Sequence, residues 1–197
     1  MPALVAVAVG ILLGLAMGGS LSNLGTLRLR FELLILPLFL VQGIARGRLF
    51  GLVGASRWSL SVWIMSSVLL VCVMLLNWRI PGVALGAAGV LMNIDVVLLN
   101  SAMPMVLGAS AGPLASISAT ELARSTGNFY RVAEQGDLLT RIADVMPIVW
   151  GRTYLLASPG DVVLMIAVAV VIIHGMSAKG VGYEPSRRRG SEAQPFG

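Results

Sequence analysis

The chain has 197 residues, 57% of them hydrophobic and 12% charged. A water-soluble domain of this length has too little interior for that much apolar surface, so lipid is the solvent that the composition calls for. The net charge of +5 comes from arginines scattered between apolar blocks, with no basic stripe interleaved with aromatics, which argues against a nucleic-acid partner; the single Cys72 excludes an internal disulfide framework and any cysteine-built zinc or haem site.

Residues 3–19 form the first apolar run. No Lys or Arg precedes Arg28, so the run lacks the positive flank of a secretory signal and reads as a retained helix. Ala6, Gly10, Gly14 and Gly18 recur every four residues, which puts small residues on one helix face and lets another backbone approach closely. A helix of the same chain is the first candidate for that contact and a second copy the alternative.

The second run, 31–47, is interrupted by Glu32, Pro37, Gln42 and Arg46 and is shorter than the usual ~20 residues; tilt, or snorkelling of Arg46 and Arg48, would let it cross. The third, 58–77, is uncharged between Trp58 and Trp78, with Arg57 and Arg79 just beyond. At ~1.5 Å per residue it matches a hydrocarbon core of ~30 Å, and the tryptophans read as interface anchors.

The fourth span, 82–100, carries Gly82, Gly86, Gly89, Asn93 and Asn100 on one stripe, a small and polar seam suited to facing other helices. Asp95 lies off that stripe. An ionisable group at bilayer depth costs at least ~2.5 kcal/mol, so Asp95 is a candidate for cation binding or proton relay, against the plainer reading of a hydrogen bond to a neighbouring helix or to interfacial water. The fifth span, 161–178, holds the only histidine, His174, near its inner end, where a helix C-terminus favours positive charge and one imidazole makes no metal site.

Residues 101–160 are expected to form a long outer loop. Its first part, 102–119, contains Pro104 and Pro113 and reads as a re-entrant or interfacial segment. Residues 179–197 read as a basic, disordered tail. With five spans, the positive-inside rule puts that tail (Lys179, Arg187, Arg188 and Arg189) in the cytoplasm and the N-terminus outside. Arg28, Arg30 and Arg79 then fall inside, and Arg46, Arg48 and Arg57 outside.

The outer loop concentrates the remaining chemistry: Asp137, Arg141, Asp144 and Arg152, then Ser158-Pro159-Gly160-Asp161 opening the last span. Two carboxylates flanking a substrate can activate water and protonate a leaving group, and Asp144 with Asp161 is the pair that qualifies. Ser158 three residues before Asp161, with Pro159 between, reads equally as a helix cap with an acidic first turn. There is no phosphate loop, dinucleotide fingerprint, paired metal-ligand spacing or serine elbow, so no cofactor and no metal is predicted.

Three stretches together resemble a family of small bacterial multi-spanning membrane proteins known only as domain of unknown function 5317. They are Leu27-Arg28-Leu29-Arg30, Asn100-Ser101-Ala102-Met103-Pro104, and Ala143-Asp144-Val145-Met146-Pro147 followed by Ser158-Pro159-Gly160-Asp161. The resemblance runs from about Gly18 to His174. Family members carry glycines before the first Met-Pro, where this chain has Ser101 and Ala102. The resemblance implies a fold and no activity. A local similarity to signal peptidase II, a membrane aspartic protease, matches Gly127-Asn128 and Asp161. The first catalytic position falls on Arg131, which cannot share a proton with a carboxylate, so only a substitute such as Asp144 would restore a dyad.

The sequence thus predicts an all-α integral membrane protein of the bacterial cytoplasmic membrane, with residues 1–178 as a single membrane domain of about five spans. Its expected partners are the lipid bilayer and other membrane protein chains. The leading functional expectation is an accessory or scaffold subunit. A small transporter or ion pathway using Asp95, and a membrane hydrolase using Asp144 and Asp161, are the alternatives.

Overall fold

A computed structural model describes residues 2–45, 58–107, 129–150 and 153–177. Most of 102–119, the tail 179–197, Gly127, Asn128 and the arginines at 46, 48, 57 and 152 lie outside the described residues.

α1 (Pro2–Ala16) ends in a pair of reverse-turn hydrogen bonds, Gly18 N to Leu15 O and Gly19 N to Gly14 O, each 2.9 Å long. This is the Schellman closure, and it needs a left-handed residue at Gly18, whose φ is +79°. Gly18 was expected on the packing face of a helix reaching residue 19. The helix stops at Ala16, and an added Cβ at Gly18 would meet nothing within 4 Å, so this glycine serves the turn instead.

A short helix, α2 (Leu21–Leu24), leads to α3 (Glu32–Ala45), which keeps Pro37 in its interior. α4 (Ser59–Leu76), α5 (Val83–Asn100) and α6 (Pro159–Ser177) follow. These last three are the described helices long and apolar enough to cross a membrane; α1 and α3 are shorter apolar helices. Large apolar side chains point outward, Leu33 at 85% exposure and Met65 at 71%, the inverse of a bundle built for water.

The helices pack side by side in the order α1, α6, α5, α4, α3, so the last helix in the chain lies between α1 and α5. Close contacts give their directions. Gly82 approaches Ala167 and Val170 while Gly89 approaches Gly160, so α5 and α6 are antiparallel. Gly10 lies against Ala169 and Ile172, and Gly14 against Met176, so α1 and α6 run parallel. Arg30, at the start of α3, bonds Asn77 at the end of α4, so that pair is antiparallel.

All described helices therefore share two ends. One carries Arg28, Arg30, Arg79 and His174. The other carries Trp58, Asn100, Ser158 and a small β-structured cap. That cap corrects the all-α expectation, placing strands in the segment before α6 that the sequence reads as an outer loop. β1 (Met103–Met105) pairs in parallel with β2 (Tyr130–Val132), and β3 (Met146–Trp150) forms an antiparallel hairpin with β4 (Thr153–Ala157). The hairpin strands are rich in the β-branched and aromatic residues that suit a pleated surface. The main chain of Asp144 bridges the free side of β1: its N–H donates to Pro104 O and its carbonyl accepts from Val106 N. The cap rests on the helices through edge-to-face aromatics, Trp63 of α4 on Phe129 at 5.1 Å and Phe129 on Tyr130 at 4.8 Å.

Candidate functional site

Where α5 meets the start of α6, three polar side chains close a hydrogen-bonded ring. Ser158 caps α6: its Oγ accepts the Asp161 N–H at 3.0 Å, and the Asp161 carboxylate accepts the Ser158 N–H at 3.4 Å. This reciprocal capping box satisfies donors that a helix start would otherwise leave orphaned. The Ser158 hydroxyl donates to Asn93 Oδ1 at 2.7 Å, and Asn93 Nδ2 donates to Asp161 Oδ1 at 3.0 Å. An ionised carboxylate can only accept, so the amide orientation is set by the chemistry of its neighbours.

Backbone contact makes the ring possible. An added Cβ at Gly89 would lie 2.6 Å from Gly160 O, and one at Gly160 would lie 2.7 Å from Gly89 O and collide with the Asn93 amide. Ser158 is fully buried and Asn93 is 2% exposed, while Asp161 is half-buried, so solvent is kept from the serine and amide side of the ring. Its chemistry is that of a fastener. The serine proton goes to an amide oxygen, which cannot take it, so Ser158 is not activated as a nucleophile.

The other sequence candidates are dispersed. Asp144 is 2% exposed and lies two residues before β3. Because Met146 pairs with Ala157, the hairpin brings the Asp144 and Ser158 segments to the same end. Asp95 is exposed on the flank of α5, away from the ring. Asn100 turns out of the helix row to bind the cap: its amide donates to Leu138 O and accepts from Leu138 N, each at 2.8 Å, and also donates to Val96 O.

Asn77 repeats that arrangement at the end of α4. It accepts the Arg30 N–H at 2.7 Å, donates to Arg30 O at 3.0 Å, and donates to Val73 O four residues back. In both places the next residue of the held segment, Phe31 or Leu139, is left-handed with φ near +55 to +58°. Sequence reasoning passed over Asn77 and Gly160. An asparagine at the end of a span, just before Trp78-Arg79, was the available signal for the first, and the glycine inside the cap sequence for the second.

In the cap, Arg131 pairs with Asp137 through both terminal guanidinium nitrogens, one of them at 2.9 Å, and the Glu134 N–H donates to the same carboxylate at 2.8 Å. The hydrogen bond from Arg131 holds the Asp137 carboxyl below the usual carboxylate range, with burial opposing and the Glu134 N–H assisting. The same bond raises the Arg131 guanidinium above its ordinary value. Among the described residues, no group of three or more His, Cys, Asp or Glu is placed to hold a metal ion.

No curated protein and no solved structure matches the chain. A family model does, the family of unknown function DUF5317, over residues 26–173, a stretch that begins just before the Arg28–Arg30 segment and takes in the whole ring and nearly all of α6. The chain is a member of that family, whose function is unknown.

Proposed function

We propose that this chain is a five-span protein of the bacterial cytoplasmic membrane, N-terminus outside and C-terminus inside, that serves other membrane proteins as an accessory or scaffold subunit. The observation that carries the reading is Asp95. It is a carboxylate exposed on the flank of a spanning helix, and it makes no hydrogen bond or ion pair with a described residue. It lies about 7–8 Å from the end of α5 at ~1.5 Å per residue, a depth at which hydrocarbon is a costly neighbour and a second chain a favourable one. The polar ring supports the same reading, since Asn93, Ser158 and Asp161 spend their hydrogen bonds on joining two helices.

Helix directions support the five crossings. α1 and α4 both run parallel to α6, so the chain leaving α1 must return across the membrane before α4 begins. α3, antiparallel to α4, is the described segment running that way. The Arg28, Arg30 and Arg79 end then faces the cytoplasm by the positive-inside rule.

Extraction in mild detergent followed by native mass measurement tests the subunit role. A stable co-purifying chain is expected, and a lone monomer overturns it. Labelling with a membrane-impermeant maleimide, in a chain whose Cys72 is replaced by Ser, tests the topology. A cysteine at Thr26 should react only from the cytoplasm and one at Leu138 only from outside.

One observation favours a second reading. The β3–β4 register brings buried Asp144 to the same end as Asp161, as a carboxylate hydrolase would require. Hydrolysis of lipid-linked peptides by the native chain but not by Asp144→Asn would establish it in place of the subunit role.

A further inference from the structure

Between α3, α4, α5 and α6 lies a half-enclosed cavity of about 170 Å³. Leu29, Phe39, Met74 and Val171 contribute to its walls, together with Gly82 and Gly86, whose lack of side chains lets α5 lie close against Ala167 of α6. Its one polar lining residue is Asn77, whose amide is already occupied by Arg30 and Val73. An apolar cavity of this size, like the ~150 Å³ engineered cavity that binds benzene, stays dry and takes hydrocarbon. α3 packs mainly on α4, and α6 on α1 and α5, so the side between α3 and α6 is the open one.

Charge marks one end of this cavity. Leu29 lies between Arg28 and Arg30, and Asn77 is followed by Trp78 and Arg79. The Asn77 clamp holds these two segments together. Arg28 and Arg79 are exposed, and neither makes an ion pair with a described residue; Glu32 is the one acidic neighbour in these segments. Trp78 is 61% exposed with the Arg79 guanidinium over its ring at 5.8 Å, the amphipathic pairing expected at headgroup level.

We propose that this cavity is a binding site for an anionic phospholipid, with part of one acyl chain between α3 and α6 and the phosphate held by Arg28 and Arg79. Basic residues beside a gap between membrane helices are the arrangement that selects such headgroups. A zwitterionic lipid of the same chain length has the same hydrocarbon and lacks the net charge, so the two halves of the site can be separated.

The full chain, delipidated in detergent, is supplied with equal amounts of phosphatidylglycerol and phosphatidylcholine of identical acyl chains, and retained lipid is read by native mass spectrometry. Retention of phosphatidylglycerol at least fivefold over phosphatidylcholine is expected. The double variant Arg28→Gln, Arg79→Gln, which alters only exposed side chains, should bring that ratio to about one. Val171→Phe, which fills the cavity, should reduce retention of both lipids. Equal retention by the native chain, or an undiminished preference in the arginine variant, overturns the proposal. So does native-like retention by Val171→Phe; where that variant does not fold, the arginine variant alone decides.

Discussion

The Ser158 hydroxyl donates to the Asn93 side-chain oxygen at 2.7 Å, joining α5 to the first turn of α6 across 65 residues of sequence. The same serine oxygen caps α6, and the same asparagine also holds the carboxylate of Asp161. Removing Asn93 or Ser158 leaves a buried partner unpaired, since Asn93 is 2% exposed and Ser158 fully buried. Asn93→Ala is therefore expected to cost about 2–4 kcal/mol, and Ser158→Ala about 1–2 kcal/mol. Because the two share one bond, the double variant should cost less than the sum, with a coupling of about 0.5–3 kcal/mol in a thermal or SDS unfolding cycle in detergent. Strict additivity would show that the ring is not a unit.

The ring needs the backbones in contact, and this separates glycines that look alike in sequence. Gly160→Ala pushes a methyl group into Gly89 O and the Asn93 amide, and Gly89→Ala into Gly160 O. Each should destabilise by about 1–3 kcal/mol through overpacking. Gly25→Ala is the control. Its φ is −65° and the nearest atom to an added Cβ is 3.5 Å away, so the change should be neutral or slightly stabilising. Equal melting shifts for all three would contradict the packing account.

How much of this could be read in the sequence differs by element. The spanning helices α4, α5 and α6 follow from uninterrupted apolar runs, which need no partner to be recognised. The pairing of β1 with β2 is illegible in the sequence because β1 is three residues long, contains Pro104, and finds its partner 27 positions later, between Met103 and Tyr130. Short strands with distant partners carry no local periodicity. The stripe holding Asn93 was visible, but its acceptance of Ser158 depends on the approach of Gly89 to Gly160, a tertiary fact. Asn77 and Asn100 read locally as helix-end residues, and nothing local says that each holds one residue of a remote segment by both its N–H and its C=O.

Those two asparagines offer a comparison at fixed chemistry. Asn77 is buried, and its bonds to Arg30 are partly buried, whereas the Asn100 bonds to Leu138 are exposed. Water can replace the second set and not the first. Asn77→Ala should cost about 2–3 kcal/mol and Asn100→Ala about 1 kcal/mol or less. Asn77→Ala should also release the start of α3, seen as faster hydrogen exchange at Arg30 and its neighbours. Similar losses for the two variants would mean that burial does not set the difference.

The Arg131–Asp137 pair makes the cap sensitive to acid. The Asp137 carboxyl is held below its unfolded value of about 3.9, so the folded state binds fewer protons in that range. Its contribution is fully present above the unfolded value and is lost as pH falls through the lower folded one. The raised Arg131 value acts only at strongly alkaline pH. Asp137→Asn should cost about 1–2 kcal/mol at pH 7 and progressively less as pH drops below about 4, followed by cap fluorescence or hydrogen exchange. A pH-independent difference would show that the bond acts through geometry and not through charge.

Asp95 gives the sharpest contrast between roles for the whole chain. It has no described hydrogen-bond or ion-pair partner to lose, so Asp95→Asn should leave melting of the isolated chain within about 0.5 kcal/mol of the native value. The subunit reading puts its effect elsewhere. The variant should lose the co-purifying chain or hold it at least tenfold more weakly in mild detergent, because a charged hydrogen bond at a membrane interface is removed. The ion-pathway alternative predicts the reverse, with proton or cation flux in liposomes that depends on Asp95 in the isolated chain. Flux that is absent, or identical in the native chain and the variant, removes that alternative. An unchanged complex with unchanged flux removes Asp95 from both.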